Sequence, residues 1–559
     1  MSAERFVIGI DLGTTYSAAA WAMMSDKKVQ VERNWPTSGQ MVGTKVPTEI
    51  AYPINSKGNS SLSWGYDISP RDRKVQWFKL GLETNELAPT LPQGMDVTDV
   101  ACDYLKLLHE HVMTTISRRS GSAIMQNARF DYVLTVPAIW SDLAKNRTRI
   151  AATKAGLGGE NSNLELLSEP ESAAIYSLKT IENILTRIKV GDKIVVCDAG
   201  GGTVDLVAYD LKQIEPTLQV IECTTGTGDF CGGSFIDREF DKLFRARMGP
   251  AYEELSVVHR QHVIKNFETC KLAFRDDVGR EIFYVNVPTV NNVPHAGVMG
   301  GEFEISRDQM RQLFDPVIRQ ILELIEEQVN MAKKDTGSVN AILLVGGFGE
   351  SEYLYMRVKF WADTQGIEVL QPRDAATAVV QGAVLKGMEP KVGPNKTQVA
   401  RRARLSYGVP TKEEFVEGRH LEVDAEYDEH TGKKLARNQI RWFIRINQLV
   451  SDDEIIRYKF CRRFKHLTYW EDSLVSSTLP IPPTRIDENV HKHCTIRSDL
   501  THLDLRRDFQ RERRILGLST FYSAEYDLTV SLKNNNLNLS LSYGGNQYGV
   551  GDVKFETLS

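Results

Sequence analysis

The sequence predicts an α/β fold built from two related halves and followed by a separate β-rich domain, and three observations carry that reading. First, apolar runs of strand length alternate with segments of helical periodicity over the first two-thirds of the chain, the pattern of strands and their covering helices. Second, residues 7–17, "VIGIDLGTTYS", and residues 194–211, "IVVCDAGGGTVDLVAYDL", share one form: an apolar strand, an Asp, a Gly-bearing turn and a Thr. Self-similarity over that distance points to duplicated half-domains rather than a short-period solenoid. Third, the composition changes at residues 387–396, "GMEPKVGPNK", where two prolines and two glycines fall without apolar periodicity. The expected α/β part is 1–390, with halves at about 6–190 and 191–388, and the expected β-rich part is 397–559.

The elements follow in order. Residues 6–24 read as a hairpin, "FVIGID" and "SAAAWAMM" flanking the turn. A weakly patterned stretch with Gly and Pro then runs to about residue 95. Residues 98–119 carry apolar side chains at helical spacing, with Asp99 in the first turn and Arg118 and Arg119 in the last. "RFDYVLTVPAIWS" (129–141) reads as a buried strand, after which Ser141 caps a helix expected to end at Gly158–Gly159. "LELLSEPESAAIYSLKTIENIL" reads as a short strand, a Glu-Pro turn and a long apolar helix. The three-glycine hairpin comes next, then a second Gly-rich turn in "GTGDFCGGSFIDREFDKLF" (226–244) and the helix "QMRQLFDPVIRQILELIEEQVNMAKK". "AILLVGGFGESEYL" (341–354) reads as a strand, a diglycine loop and a helix. In the tail, "YDLTVSL" and "LNLSLSY" alternate around "KNNN" (533–536), a hairpin signature.

Composition narrows the function classes. A formal net charge of −5 over 559 residues gives no support to non-specific binding of nucleic acid or of an anionic membrane. The seven cysteines are scattered and form no C-x-x-C, which fits a reducing compartment and argues against a disulfide framework or a structural zinc site. "VHKHC" crowds His491, His493 and Cys494. Period-two spacing sends the two histidines to one strand face without Cys494, so no metal site is expected there. The first strand begins at once in "MSAERFVIGID", and no long apolar run follows. Neither a signal peptide nor a membrane span is expected, and the expected compartment is cytoplasmic, with the nucleus as an alternative.

Three glycines in a row exceed the need of a turn and leave backbone bare for close approach. A nucleoside triphosphate with Mg²⁺ asks for backbone donors at its phosphates, nearby hydroxyls, and carboxylates to hold the metal's waters. One turn offers Gly13, Thr14 and Thr15, and the other Gly200, Gly201, Gly202 and Thr203, with Asp11 and Asp198 at the strand ends. Either turn alone reads as a tight hairpin, whereas the pair, with "VGGFG" downstream as a third Gly loop, reads as a nucleotide site. No G-x-x-x-x-G-K-[ST] run occurs, which excludes a P-loop.

"IGIDLGTTYS", "LTVPAIWSDLAKNRTRIAATKAGL", "LLSEPESAAIYSL", "CDAGGGTVDLVAYD", "FETCKLAF" and "ILLVGGFGESEYL" occur in an order and spacing that resembles the ATPase domain of the seventy-kilodalton heat-shock chaperones. That family belongs to the actin, hexokinase and heat-shock ATPase superfamily, and the resemblance covers residues 6–388. It implies a two-lobed actin-like ATPase of duplicated ribonuclease H-like subdomains, with ATP or ADP and Mg²⁺ as cofactors. It further implies that Asp11 and Asp198 hold the hydrated metal, and that Gly13 to Tyr16 and Gly200 to Thr203 wrap the phosphates. Glu169, in "SEP", matches the acidic residue near the attacking water, and Asp205 a second carboxylate close to it. The family's catalytic Lys comes from a helix of the first lobe; Lys79 in "VQWFKLGLE" is the candidate, with Lys74 behind it. Glu268 and Lys271 match the adenosine-side helix, and Gly346 and Gly347 the loop beneath sugar and base.

The sequence also departs from the family. Leu272 stands where the family stacks an Arg on adenine, and Phe348, Gly349 and Glu350 follow the diglycine in place of Ser-Thr-Arg. Phe348 or Arg275 is left to cover a base face. "MEPKVGPNK" replaces the leucine-rich acidic linker, and no long helical lid follows, which resembles the divergent branch typified by the member-twelve heat-shock proteins. The function this implies is an ATP-driven chaperone or chaperone-like nucleotide switch, with unfolded polypeptide clients and co-chaperones as partners. The alternatives are a nucleotide-sensing scaffold with little hydrolysis and, against the "SEP" Glu, a small-molecule kinase of the same fold.

Overall fold

The computed structural model describes residues 4–36, 43–53, 62–69, 71–159, 162–215, 217–276, 279–288, 290, 292–390, 397–429, 431–513, 520–533, 536–548 and 553–555. The chain divides into two compact units, Met1–Thr397 and Gln398–Ser559. The linker residues 391–396 and the tip of the "KNNN" hairpin, 534–535, lie outside the described residues.

The first unit opens with β1 (Arg5–Asp11) and β2 (Tyr16–Met23), paired antiparallel with Asp11 opposite Ala18. Side chains of β1 alternate between two buried faces: Phe6, Ile8 and Ile10 enter one core and Val7 another. That explains why the strand is apolar throughout rather than at every second position. The weakly patterned stretch holds a small antiparallel sheet of Ser63–Trp64, Glu49–Ala51 and Lys74–Gln76, then α1 (Phe78–Glu83). Lys74, the second candidate for the catalytic lysine, sits on this sheet, pairs with Glu49 at 2.7 Å and lines the same cleft as Lys79.

α2 (Val97–Ser120) begins at a capping box between Asp96 and Asp99. β3 (Arg129–Val136) runs parallel to β1 and ends before Pro137, earlier than the sequence suggests. α3 (Asp142–Lys154) is capped by Ser141 but stops short of Gly158. Gly156 takes a φ of 91°, and the Leu157 amide donates back to the Ala152 carbonyl at 2.9 Å, which closes the helix there. β4 (Ser162–Ser168) leads directly into α4 (Glu169–Thr180). The Glu-Pro pair is therefore the first turn of a helix, where Pro lacks no needed donor, and not a separate turn. The expected long helix ends at Thr180, and Asn183, with a φ of 55°, precedes a four-residue helix.

The second half repeats the plan. β5 (Lys193–Ala199) and β6 (Val204–Gln213) form the three-glycine hairpin, with Asp198 opposite Asp205, and β7 (Gln219–Glu222) pairs with β6. α5 (Ser234–Met248), α6 (Val257–Ala273) and α7 (Arg307–Thr336) follow, then β8 (Ala341–Val345), parallel to β5. α8 (Glu352–Thr364), β9 (Glu368–Leu370) and α9 (Ala378–Gly387) complete the unit. Across the first sheet the order is Gln30–Val31, β2, β1, β3, β4; across the second it is β7, β6, β5, β8, β9. The two orders are the same third-second-first-fourth-fifth arrangement, so the duplication read from the two Asp turns extends to whole sheets.

α9 comes from the second half of the sequence yet packs on the sheet of the first. Val380 and Val384 share a core with Val7, Ala18 and Ala20. The close approach has a reason in glycine: a Cβ on Gly9 would meet the Val380 carbonyl at 2.7 Å, and one on Gly382 the Ser172 carbonyl at 1.8 Å.

The second unit is built almost wholly of strands. β10 (Ser406–Glu414), β11 (Lys434–Ile444), β12 (Ile456–Phe464), β13 (Trp470–Ser477), β14 (His491–Ser498), β15 (Thr520–Lys533) and β16 (Asn536–Tyr543) are its longest elements. One sheet carries the order β11, β10, β13, β14, and the other β12, β15, β16. Phe443, Trp470, Leu474 and Ile496 from the first and Leu528, Val530 and Leu541 from the second share one core. The alternating segments around "KNNN" pair as β15 and β16, with Val530 opposite Leu539. The reading of "VHKHC" needs correction. Register shifts between Leu474 and Val475 where β13 meets β14, so His493 and Cys494 are both buried and His491 is exposed. Among the described residues no helix is long and apolar enough to cross a membrane.

Candidate functional site

The two Asp-bearing hairpins converge on one cleft of about 900 Å³ in the first unit. Their turns interlock. A Cβ on Gly201 would stand 1.9 Å from Thr15 Oγ1, and one on Gly202 2.5 Å from Thr14 Cγ2. The glycine run is fixed from behind as well: the amides of Gly232, Gly233 and Ser234 donate to the carbonyls of Gly202, Gly200 and Gly201 at 3.2, 3.1 and 2.8 Å. With its carbonyls so engaged, the run turns bare backbone toward the cleft, a cradle that any side chain would fill.

Asp11, Gly13, Thr14, Thr15, Tyr16, Lys79, Glu169, Asp198, Gly200 to Thr203, Glu268, Lys271, Gly346, Gly347 and Phe348 all line this cleft. Lys79 is only 3% exposed, so it is not a solvated helix lysine. α1 and the first turn of α4 bring its Nζ to 2.7 Å from Glu169 Oε1. Burial works against its charge, but Glu169 and Asp11 outweigh that and hold Lys79 above the ordinary lysine value. Asp205 lies one strand over, opposite Asp198, with a buried Oδ1 that has no hydrogen-bond partner. Burial first, then Asp11 and Asp205, push Asp198 up to about 7. Asp198 also packs against Gly346, whose φ is 90° and where a Cβ would stand 2.4 Å from Asp198 Oδ1.

Asp205 itself is buried and not among the lining residues, but the crowded carboxylates Asp11 and Asp198 and the glycine cradle fit a hydrated divalent cation with phosphates. Among the described residues no group of three or more His, Cys, Asp and Glu is placed to hold a metal by itself. Asp11 and Asp198, which both line the cleft, are the carboxylates that would hold such a cation.

At the far end of the cleft, Tyr16 donates its hydroxyl to both Glu268 oxygens at 3.3 Å. Lys271 is paired with both Asp237 oxygens at 2.7 Å. Leu272 lines the cleft and is 62% exposed. Phe348 reaches the cleft but is 7% exposed, its ring packed on Gly233 and near Phe314. Arg275 is not among the lining residues. Several contributors escape a motif reading: Lys45, 3.8 Å from Asp11 Oδ2; Trp140, whose ring centre is 5.5 Å from Lys79 Nζ; and Arg238, 4.5 Å over Trp77 from the opposite wall. The second Gly-rich turn, 226–244, was the one legible signal among them, since its Gly232 and Gly233 back the glycine run.

Two sheets of one strand order, closing a glycine-walled cleft over paired strand-end carboxylates, define a two-lobed actin-like nucleotide-binding domain, here followed by a β-rich unit. The family model described as "Hsp70 protein" matches residues 108–439, more than half of the chain, and the chain belongs to that family. A model described as a domain of unknown function matches residues 401–555. Heat shock 70 kDa protein 12A of Homo sapiens is 26% identical over 89% of this chain and 85% of its own length. Heat shock 70 kDa protein 12B of Homo sapiens is 26% identical over 81% of this chain and 78% of its own length. Chaperone protein DnaK of Thermotoga maritima is 26% identical over 69% of this chain and 60% of its own length. The chain is thus a divergent, ATP-binding Hsp70-type protein of the twelve-like branch.

Proposed function

We propose that the cleft takes ATP with Mg²⁺, hydrolyses it, and reports the nucleotide state to the C-terminal unit, as a chaperone or chaperone-like switch. The observation that carries this reading is the buried Lys79, 2.7 Å from Glu169 and close to Asp11 and Asp205. Burying such charges is a poor way to stabilise a fold, since apolar packing does as well or better. A fixed ammonium is, however, what charge developing on a transferred phosphoryl group requires.

Family resemblance and the lining of the cleft together support the following roles. Gly13 to Thr15 and Gly200 to Thr203 offer backbone and hydroxyl donors to phosphate oxygens, while Asp11 and Asp198 hold the water shell of the cation. When bound, Mg²⁺ supplies positive charge at those oxygens. Glu169 orients the attacking water and receives its proton at Oε, and Asp205 supports the same water from the neighbouring strand. Unfolded polypeptides and co-chaperones are the partners this reading implies, in the cytoplasm.

A nucleotide-sensing scaffold with little hydrolysis is the second reading, favoured by the exposed Leu272 at the base end. Single-turnover phosphate release from ATP, with and without an unfolded polypeptide, separates the two. Release without any acceptor is expected, and Lys79→Ala should slow it at least about tenfold while shifting ATP affinity less than about threefold. Tight binding with no release would favour the scaffold, and ADP formed only with a small-molecule acceptor would favour a kinase.

A further inference from the structure

The cleft holds a cation that its motifs do not account for. Lys45 precedes the two-residue strand Val46–Pro47, which pairs with the start of β2: Val46 lies opposite Ser17 and Pro47 opposite Tyr16. The Thr48 amide donates to the Thr15 carbonyl at 2.8 Å and fixes that register. Lys45 is thereby set beside the first glycine turn, with Nζ 3.8 Å from Asp11 Oδ2 and a side chain 21% exposed. From the other wall, a Cβ on Gly347 would stand 3.8 Å from the same Nζ. One ammonium thus spans both walls at the end where the glycine cradle lies. Its contact with Asp11 is at the outer limit of an ion pair, and it donates no hydrogen bond among the described residues.

The base end shows the opposite state. Both Glu268 oxygens are engaged by Tyr16, and Lys271 is engaged by Asp237 and by the Gly233 carbonyl at 3.3 Å. Next to this engaged pair the helix presents the apolar Leu272, 62% exposed, to the cleft, while its polar lining residues Gln261, His262 and Lys265 lie a turn or more further along. An apolar wall adds contact area but reads no donor or acceptor on a base edge, and such walls discriminate weakly.

We propose that ligand recognition here is carried by the phosphate chain, with Lys45 as a second phosphate-end cation beside Lys79, and that the base is read so weakly that purine and pyrimidine triphosphates share the site. The inference rests on the nucleotide reading of the cleft and deepens it by naming the ligand class.

Titration calorimetry of the full chain with ATP, GTP, CTP and AMP in the presence of Mg²⁺, on wild type and Lys45→Met, tests it. The three triphosphates are expected to bind wild type within about tenfold of one another. Lys45→Met should weaken each triphosphate by at least about tenfold and change AMP by less than about threefold, because AMP lacks the distal phosphates. Preference for ATP over CTP by more than about tenfold would overturn base indifference. Unchanged triphosphate affinity in Lys45→Met, or an equal loss for AMP, would overturn the role of Lys45. Wild type that binds no triphosphate would instead overturn the nucleotide reading on which the inference stands.

Discussion

Asp198 sits where its own charge is unwelcome. Its carboxyl is raised from 3.8 to about 7 by burial and by Asp11 and Asp205, so between those values the folded chain keeps a proton that the unfolded chain has lost. Stability without nucleotide must then fall as pH rises through that window, and the loss is complete above it. Asp198→Asn is expected to flatten that slope and to make the nucleotide-free protein more stable at pH 7.5, by about 1–3 kcal/mol. It should weaken binding of nucleotide with Mg²⁺ at the same time. Urea midpoints of both proteins at pH 5 and pH 7.5, in chelator, check this; parallel slopes would show that the strain lies elsewhere. The two Asp residues are legible because each ends an apolar strand before a Gly turn. Lys79 is legible only through resemblance, since nothing in "VQWFKLGLE" says that the lysine points inward. Lys45 is not legible at all, because its place depends on the pairing of Val46–Pro47 with β2, a long-range register that local pattern does not encode.

At the scale of elements, the three glycines serve two neighbours at once. They leave bare backbone for a ligand, and they also clear space for Thr14 and Thr15, which no reading of either hairpin alone reveals. Gly201→Ala should force its new Cβ into Thr15 Oγ1, where the gap is 1.9 Å, at a cost of about 1–3 kcal/mol. Adding Thr15→Gly should restore much of that stability, because it removes the atom in the way. Chemical denaturation of the single and double variants measures both; a double variant no better than Gly201→Ala would locate the strain in the backbone of the turn itself. Element ends were harder to read than elements. The helix after Ser141 closes at Gly156 because that glycine turns left-handed first, and His493 and Cys494 share a burial state only because of a register shift. Both outcomes are decided by backbone geometry at a single residue.

For the whole molecule, the duplicated sheets were visible in the sequence because two strands and a turn repeat almost intact. The topology that follows, with one strand order used twice, needed only the rule that a parallel partner arrives after a helical crossover. The interior of the β-rich unit was less visible, as its strands alternate without a motif to fix their order. Residues 1–397 produced alone are expected to fold and to bind nucleotide, judged by a cooperative melt that shifts upward with ATP and Mg²⁺. A fragment that melts without cooperativity would show that the two units depend on each other.

The return of α9 to the first sheet has a consequence for biosynthesis. β1 is made long before α9, yet Val7, Ala18 and Ala20 are covered by Val380 and Val384, and Arg5 donates to the Gly387 carbonyl at 3.1 Å. At ordinary translation rates that face waits on the order of tens of seconds for its cover. Until α9 is made, that apolar face of the nascent first half has no cover of its own, which leaves it open to non-native contacts during synthesis.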